Sequence, residues 1–321
     1  MSQRLIAVCI AGPLVLILAG ITLAVPLPFA SYSPGPTYDV LSKDAKEAEV
    51  IQVDGHEAFY DDGEIRFTTV VPSRYGLKLS LGDAIARWLD PDKAVLPYKV
   101  VHPPEVSQAD EEAEGAVQMT TSQDVAKAVA LTELGYKLPT AVQVALVDKS
   151  GPAEGKLLVH DIFKEVDGKP VAKSDDVVNA VKSHKDGSLV EFRIQRDKRE
   201  LTVRIKPKQM DGTPRVGVTL GVGYEFPFDI KVRVDPNVGG PSAGLMFALA
   251  IYDTLTPGSI TRGSAIAGTG ELRPDGTVGA IGGIEQKIAG AEDDGAKLFF
   301  VPKDNCPDVK GLDPDLRLVK A

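Results

Sequence analysis

A Gly-Gly turn followed by Pro241, Ser242 and an apolar run, within Asp235 to Phe247 (DPNVGGPSAGLMF), constrains this chain most, together with Gly282 to Ala291 (GGIEQKIAGA) further along. Proline suits the first position of a helix, because its missing N–H would be unpaired there anyway. Ser242 is therefore expected on the first turn, where free backbone N–H groups and the helix dipole favour negative charge. Such a place can hold a serine oxyanion and the developing oxyanion of an acyl substrate. The second stretch reads as a small amphipathic helix with one lysine, Lys287. At helical spacing it lies beside Ile284 and Ala291 and can point inward with them. A buried lysine loses its charge readily, and a neutral amine beside a serine is a general base. Taken singly, each half has a plainer reading. A serine near a helix start is most often only a cap, and a lone lysine on a short helix is usually solvated. The pair and its flanks tip the balance.

Those flanks, GGPSAG and AGTGELRPDGTVGAIGGIEQKIAGA, closely resemble the two signature stretches of the Lon family of serine–lysine proteases. The resemblance implies a nucleophile at Ser242, a base at Lys287 and a lysine-orienting hydroxyl at Thr269. It also implies an oxyanion site built from the backbone N–H groups of Gly239, Gly240 and Ser242. Many Lon sequences carry Asp-Gly before Pro-Ser where this chain has Gly239-Gly240. The N–H donor survives that change and the aspartate side chain is lost.

The chain has 321 residues, enough for two ordinary domains. With 43% hydrophobic and 25% charged residues it has a globular composition, and its net charge of −9 argues against nucleic acid as a partner. His56, His102, His160 and His184 lie far apart with no HExxH or CxxC nearby, so neither a metal nor another cofactor is expected. Of the two cysteines, Cys9 falls in the first apolar run, which leaves Cys306 without an internal disulfide partner. Leu5 to Val25 carries no charge and is long enough for a bilayer span, with Arg4 before it. It reads as an uncleaved single-pass anchor in the cytoplasmic membrane, with the catalytic part outside; a cleaved signal peptide is the alternative.

Ala48 to Val53 and Gly63 to Val71 read as strands, Leu81 to Leu89 as a short helix and Ser107 to Gly115 as an acidic, solvated loop. Thr121 to Tyr136 reads as a helix capped by Ser122 or Thr121 and ended by Gly135. Leu138 to Lys208 has a different texture and resembles a bacterial PDZ domain in its Gly-Pro-Ala segment, its Val-Asp-Gly hairpin turn and its order of elements. Two positions depart from that pattern. His160 stands where such domains have Gly, and Gly135 to Thr140 lacks a clear carboxylate-binding loop. The resemblance therefore implies peptide binding by strand addition to a sheet edge, and not strict reading of C-termini. Beyond it, Arg215 to Leu220, Phe228 to Val234, Ser264 to Leu272, Thr277 to Ile281 and Lys297 to Val301 read as strands.

Residues 210–321 hold both signatures yet look too short for a whole Lon-type proteolytic domain. Its opening strands and helix have their match upstream, in GEIRFTTVV and TSQDVAKAVALTELGY. The expected fold is α+β: one transmembrane helix, then a Lon-type proteolytic domain with an inserted PDZ-like domain. Its parts are 1–30 (membrane anchor), 31–136, 137–208 (PDZ-like) and 209–321. Separate domains in series are the alternative. The sequence holds no Gly-x-x-x-x-Gly-Lys-Ser/Thr loop, so the resemblance implies an endopeptidase that works without ATP on protein or peptide substrates. A homo-oligomer is compatible with the chain. A membrane-tethered peptide-binding scaffold with an inactive protease fold is the rival reading, and the intact Ser, Lys and Thr weigh against it.

Overall fold

A computed structural model describes residues 3–44, 47–184, 187–210 and 212–321. A six-stranded sheet runs in the order Arg317–Lys320, Leu298–Val301, Ala265–Gly268, Glu64–Pro72, Phe29–Asp39, Ala94–Pro97. The first four strands are mutually parallel, and Phe29–Asp39 pairs antiparallel with both of its neighbours. The centre of this sheet therefore joins chain from before residue 72 to chain from after residue 265. One core unites the same two parts. Ile65 and Phe67 from the early strands pack with Val125 and Leu131 of the long helix Gln108–Glu133 and with Met246 and Phe247 of the helix Gly244–Leu255.

Between these parts lies a second antiparallel sheet, in the order Val218–Tyr224, Thr140–Val147, Ile162–Val166, Val190–Arg196, Arg199–Ile205, with Lys169–Pro170 paired to Ile162–Val166. It has its own core, in which Val177 and Val181 of the helix Ser174–Ser183 meet Phe163, Phe192 and Val216. The chain enters this unit at Pro139 and leaves it at Glu225, whose N–H donates to the Pro139 carbonyl at 3.0 Å. The unit thus extends past Lys208: Val218–Tyr224 pairs with Thr140–Val147 and forms the edge of its sheet. Consequently Thr140–Val147 is an interior strand, and the loop before it does not open onto a free edge.

Several expectations need correction. Ser107 to Gly115 is not a loop. Ser107 and Asp110 form a capping box in which each side chain accepts from the other residue's N–H, and a helix starts at Gln108. The acidic side chains sit in its first turn, where the helix dipole favours them. The proline-rich Ser33 to Thr37, which local sequence does not mark as a strand, is paired chain. It belongs to the strand Phe29–Asp39, and its prolines coincide with a register shift between Pro34 and Thr37, where the ladder does not need their missing N–H groups.

The membrane span is also overturned. Among the described residues no helix is long and apolar enough to cross a membrane. The N-terminal helix Gln3–Ala24, which contains Pro13, does not meet that requirement. The single-pass anchor, and the placement of the catalytic part outside a membrane that followed from it, are therefore not supported.

Candidate active site

Ser242 stands on a turn at the end of an irregular approach. The strand Asp229–Val232 leads out of its pairing with Ile51–Asp54. Asp235 then folds the chain back, accepting from the N–H and side-chain amide of Asn237 at its carboxylate and from the Val238 N–H at its carbonyl. Gly240 follows with φ +97°, a backbone conformation open to glycine at little cost. The helix itself begins at Gly244, so Ser242 lies just before its first turn and not within it.

Lys287 comes from the helix Ile284–Asp293. Ile284, Ile288 and Ala291 on the same helix are buried against Ala267 and Phe299. That face carries the lysine inward, leaving it only 3% exposed. Its Nζ lies 2.7 Å from the Ser242 Oγ and 3.0 Å from the Thr269 Oγ1. Thr269 is fully buried at the end of the strand Ala265–Gly268. Its own hydroxyl proton goes to the Ser242 carbonyl at 3.0 Å, so towards Lys287 it can only accept. One lysine N–H is thereby directed at Thr269. The neutral amine's lone pair remains for the serine hydroxyl proton.

Burial pushes the Lys287 amine down from 10.5 to about 7, because desolvation penalises its charged form. An amine in that range accepts a proton from a hydroxyl and returns it near neutral pH. Ser242 and Lys287 open into a cleft of about 350 Å³ whose walls include Pro36, Tyr38, Val70, Met119 and Val238. A larger cavity of about 840 Å³ lies away from both, around Asp124, His160 and Arg196.

The three expected backbone donors do not behave alike. The Gly240 N–H is already committed to the carbonyl of Gly115, 3.0 Å away on the long helix. It is therefore not free to meet an oxyanion, contrary to expectation. The N–H groups of Gly239 and Ser242 donate to no protein group among the described residues. Sequence reasoning also missed two contributors to the turn, Gly115 and Ser122. The Ser122 hydroxyl donates to the Pro241 carbonyl at 3.0 Å. Ser122 looked like a helix cap, and nothing in its local sequence marks a contact 119 residues away.

Next to this, Asp124 joins the two units. It is 1% exposed and accepts from Lys127 on its own helix and from Gln143 of the second sheet, with His160 Nε2 at 3.4 Å. Burial opposes its charge, yet Lys127, His160 and Gln143 outweigh burial and hold the carboxyl well below the usual range. His160 has φ +72°, which explains why related domains would place glycine there.

Residues 116–206 match the family model of the PDZ domain, and residues 234–318 match that of the Lon protease (S16) C-terminal proteolytic domain, a serine peptidase domain. The Lon protease of Finegoldia magna is 35% identical over 103 residues, covering 30% of this chain and 13% of the relative. That of Mesomycoplasma hyopneumoniae is 46% identical over 89 residues, 26% of this chain and 10% of the relative. The chain thus spans about an eighth or less of the length of these curated relatives. Among solved structures, the PDZ domain of an SdrC-like protein from Listeria innocua is 27% identical, over 25% of this chain and 92% of that one, at a TM-score of 0.24.

Proposed function

For a chain that is Lon-like in its proteolytic domain and also carries a PDZ domain, we propose the function of an ATP-independent serine endopeptidase with a Ser242–Lys287 dyad. One observation carries the proposal: a lysine amine with a pKa of about 7, 3% exposed, lies 2.7 Å from a serine hydroxyl in an open cleft. Ser242 Oγ attacks the peptide carbonyl while Lys287 takes its proton. The ammonium then gives that proton to the leaving amine. Water attacks the acyl-enzyme in the second half, again with Lys287 as base. Thr269 holds the amine in line. The oxyanion falls to the N–H groups of Ser242 and Gly239.

The proteolytic domain, in this reading, consists of residues 31–139 and 225–321, with the PDZ-like unit inserted at residues 140–224. The hydrogen bond between Pro139 and Glu225 supports it, since an inserted unit needs host ends that lie together. A substrate segment is recruited by strand addition at Val218–Tyr224, the edge of the inserted sheet. In the cleft, Thr68 to Val71 extend past the last pairing with Gly268 and leave an open strand side for the scissile segment. ATP has no phosphate-loop sequence to bind in this chain, and the dyad needs none.

The test is labelling with a fluorophosphonate. The native chain should be modified at Ser242 and should hydrolyse a flexible peptide without ATP, and Ser242→Ala should do neither. A native chain that binds peptide but is never labelled would instead be the scaffold with a silent protease fold.

A further inference from the structure

The peptide unit that carries the Ser242 N–H also contains the Pro241 carbonyl. A trans peptide is planar, so its C=O and N–H point in opposite directions. Whatever holds the Pro241 carbonyl therefore aims the Ser242 N–H. Two donors reach it: the Gly244 N–H, 3.4 Å away within the turn itself, and the closer Ser122 Oγ at 3.0 Å, from a residue 4% exposed on the long helix Gln108–Glu133. Serine inside a helix usually turns its hydroxyl back to a carbonyl of its own preceding turn. Here it crosses to the catalytic turn instead. The surroundings keep room for it: a Cβ on Gly244 would stand 2.9 Å from the Ser122 Oγ.

About two helical turns earlier, the same helix accepts the Gly240 N–H at the Gly115 carbonyl. Gly239 lies so close to that point that a Cβ on it would come within 3.1 Å of the Gly115 backbone. The long helix thus grips the turn from behind at two places. The Ser242 N–H, in contrast, has no protein acceptor among the described residues and lies beside the cleft.

We propose that Ser122 is a positioning residue for catalysis: its hydroxyl, through the Pro241–Ser242 peptide unit, orients the Ser242 N–H as oxyanion donor. The inference rests on the dyad reading given under Proposed function. A hydrogen bond at the carbonyl also polarises the N–H of the same unit, which strengthens its bond to a developing oxyanion. The contact reaches neither substrate nor Lys287, so it should act on the transition state alone.

The experiment compares the full chain with Ser122→Ala and Ser122→Cys on a short fluorogenic peptide across pH. Inhibition by a peptidyl boronic acid is measured alongside, because its tetrahedral adduct places an oxygen at the oxyanion position. Ser122→Ala is expected to lower kcat roughly 10- to 100-fold, less than the loss of an oxyanion donor outright. KM should stay within about twofold and the pH midpoint should not move, while boronate affinity falls in step with kcat. Ser122→Cys keeps a weak donor and should fall between the two. It decides the matter alone if the alanine variant does not fold. A folded variant with native kcat overturns the inference. So does a loss expressed in KM or in a displaced pH midpoint, which would place Ser122 in substrate binding or in tuning Lys287. If the native chain is not labelled at Ser242 by a fluorophosphonate, the dyad reading itself fails and takes this inference with it.

Discussion

Replacing Lys287 by Met tests the buried base through stability as well as activity. The amine is held at about 7 against 10.5 in the unfolded chain. At 1.36 kcal/mol per tenfold change in proton affinity, this is a penalty of about 5 kcal/mol. The folded chain binds fewer protons than the unfolded chain between these two values, so stability rises with pH across that interval. Below about pH 7 the full penalty opposes folding, and above about 10.5 none remains. Methionine keeps the bulk of the stem without a charge, but Ser242 and Thr269 lose their contacts with Nζ. Those are worth about 1 kcal/mol each. The variant should therefore be more stable by about 3 kcal/mol at pH 6, a rise in Tm of roughly 6–12 °C for a unit of this size. Near pH 9 the lysine penalty has fallen to about 2 kcal/mol, so the two proteins should be equally stable there, and above it the native chain should lead. Differential scanning calorimetry between pH 6 and pH 10 reads this crossover. Native peptidase activity should in parallel be half-maximal near pH 7 and level off on the alkaline side. A variant that is less stable at pH 6, or an advantage that does not change with pH, would mean the amine is solvated or paired, and the neutral-base mechanism would be wrong.

Ser242→Ala and Lys287→Ala should each abolish peptide hydrolysis, and the double variant should be no worse than either, because groups that act as a unit lose their function together. Gly239→Ala should lower kcat more than tenfold, since its Cβ would press to 3.1 Å on the Gly115 backbone and lift the turn off the long helix; native activity there would show that the turn tolerates movement. Asp124→Asn leaves the buried Lys127 ammonium without its carboxylate and should cost about 3–5 kcal/mol by urea unfolding at pH 7. Since the folded carboxyl is held below its usual range, this stabilisation is present above about pH 4 and fades only as the solution becomes strongly acidic. Excising residues 140–224 and joining Pro139 to Glu225 through a short linker should leave cleavage of a short flexible peptide intact and abolish that of a larger recruited substrate; an insoluble product would count against the insertion.

What could be read in advance follows the range of the interactions involved. Ser242, Lys287 and Thr269 sit in short stretches whose glycines, prolines and apolar spacing are local, and the structure brings the Lys287 Nζ within 3.0 Å of both hydroxyls. The helix start at Ser107 was legible too, as a Ser-x-x-Asp box, but its acidic composition looked like solvated chain. In a helix's first turn that same charge is stabilising, so composition misled where position would not have. The N-terminal run shows the opposite error. Its composition suggested a span, yet among the described residues no helix is long and apolar enough for one. The Phe29–Asp39 strand was hidden because its prolines argue against a paired strand unless a register shift absorbs them, and a shift is visible only once the partner is known. The contacts that shape the catalytic turn are the least legible. Gly240 looked like a free donor until Gly115 claimed its N–H, and Ser122 looked like a cap until it met Pro241. Each depends on the long helix lying behind the serine, which in turn depends on core residues from before and after the second sheet packing as one. The proposed nucleophile and base can thus be picked out by local pattern, whereas the groups that hold the turn beside them come from elsewhere in the chain and emerge only with the fold.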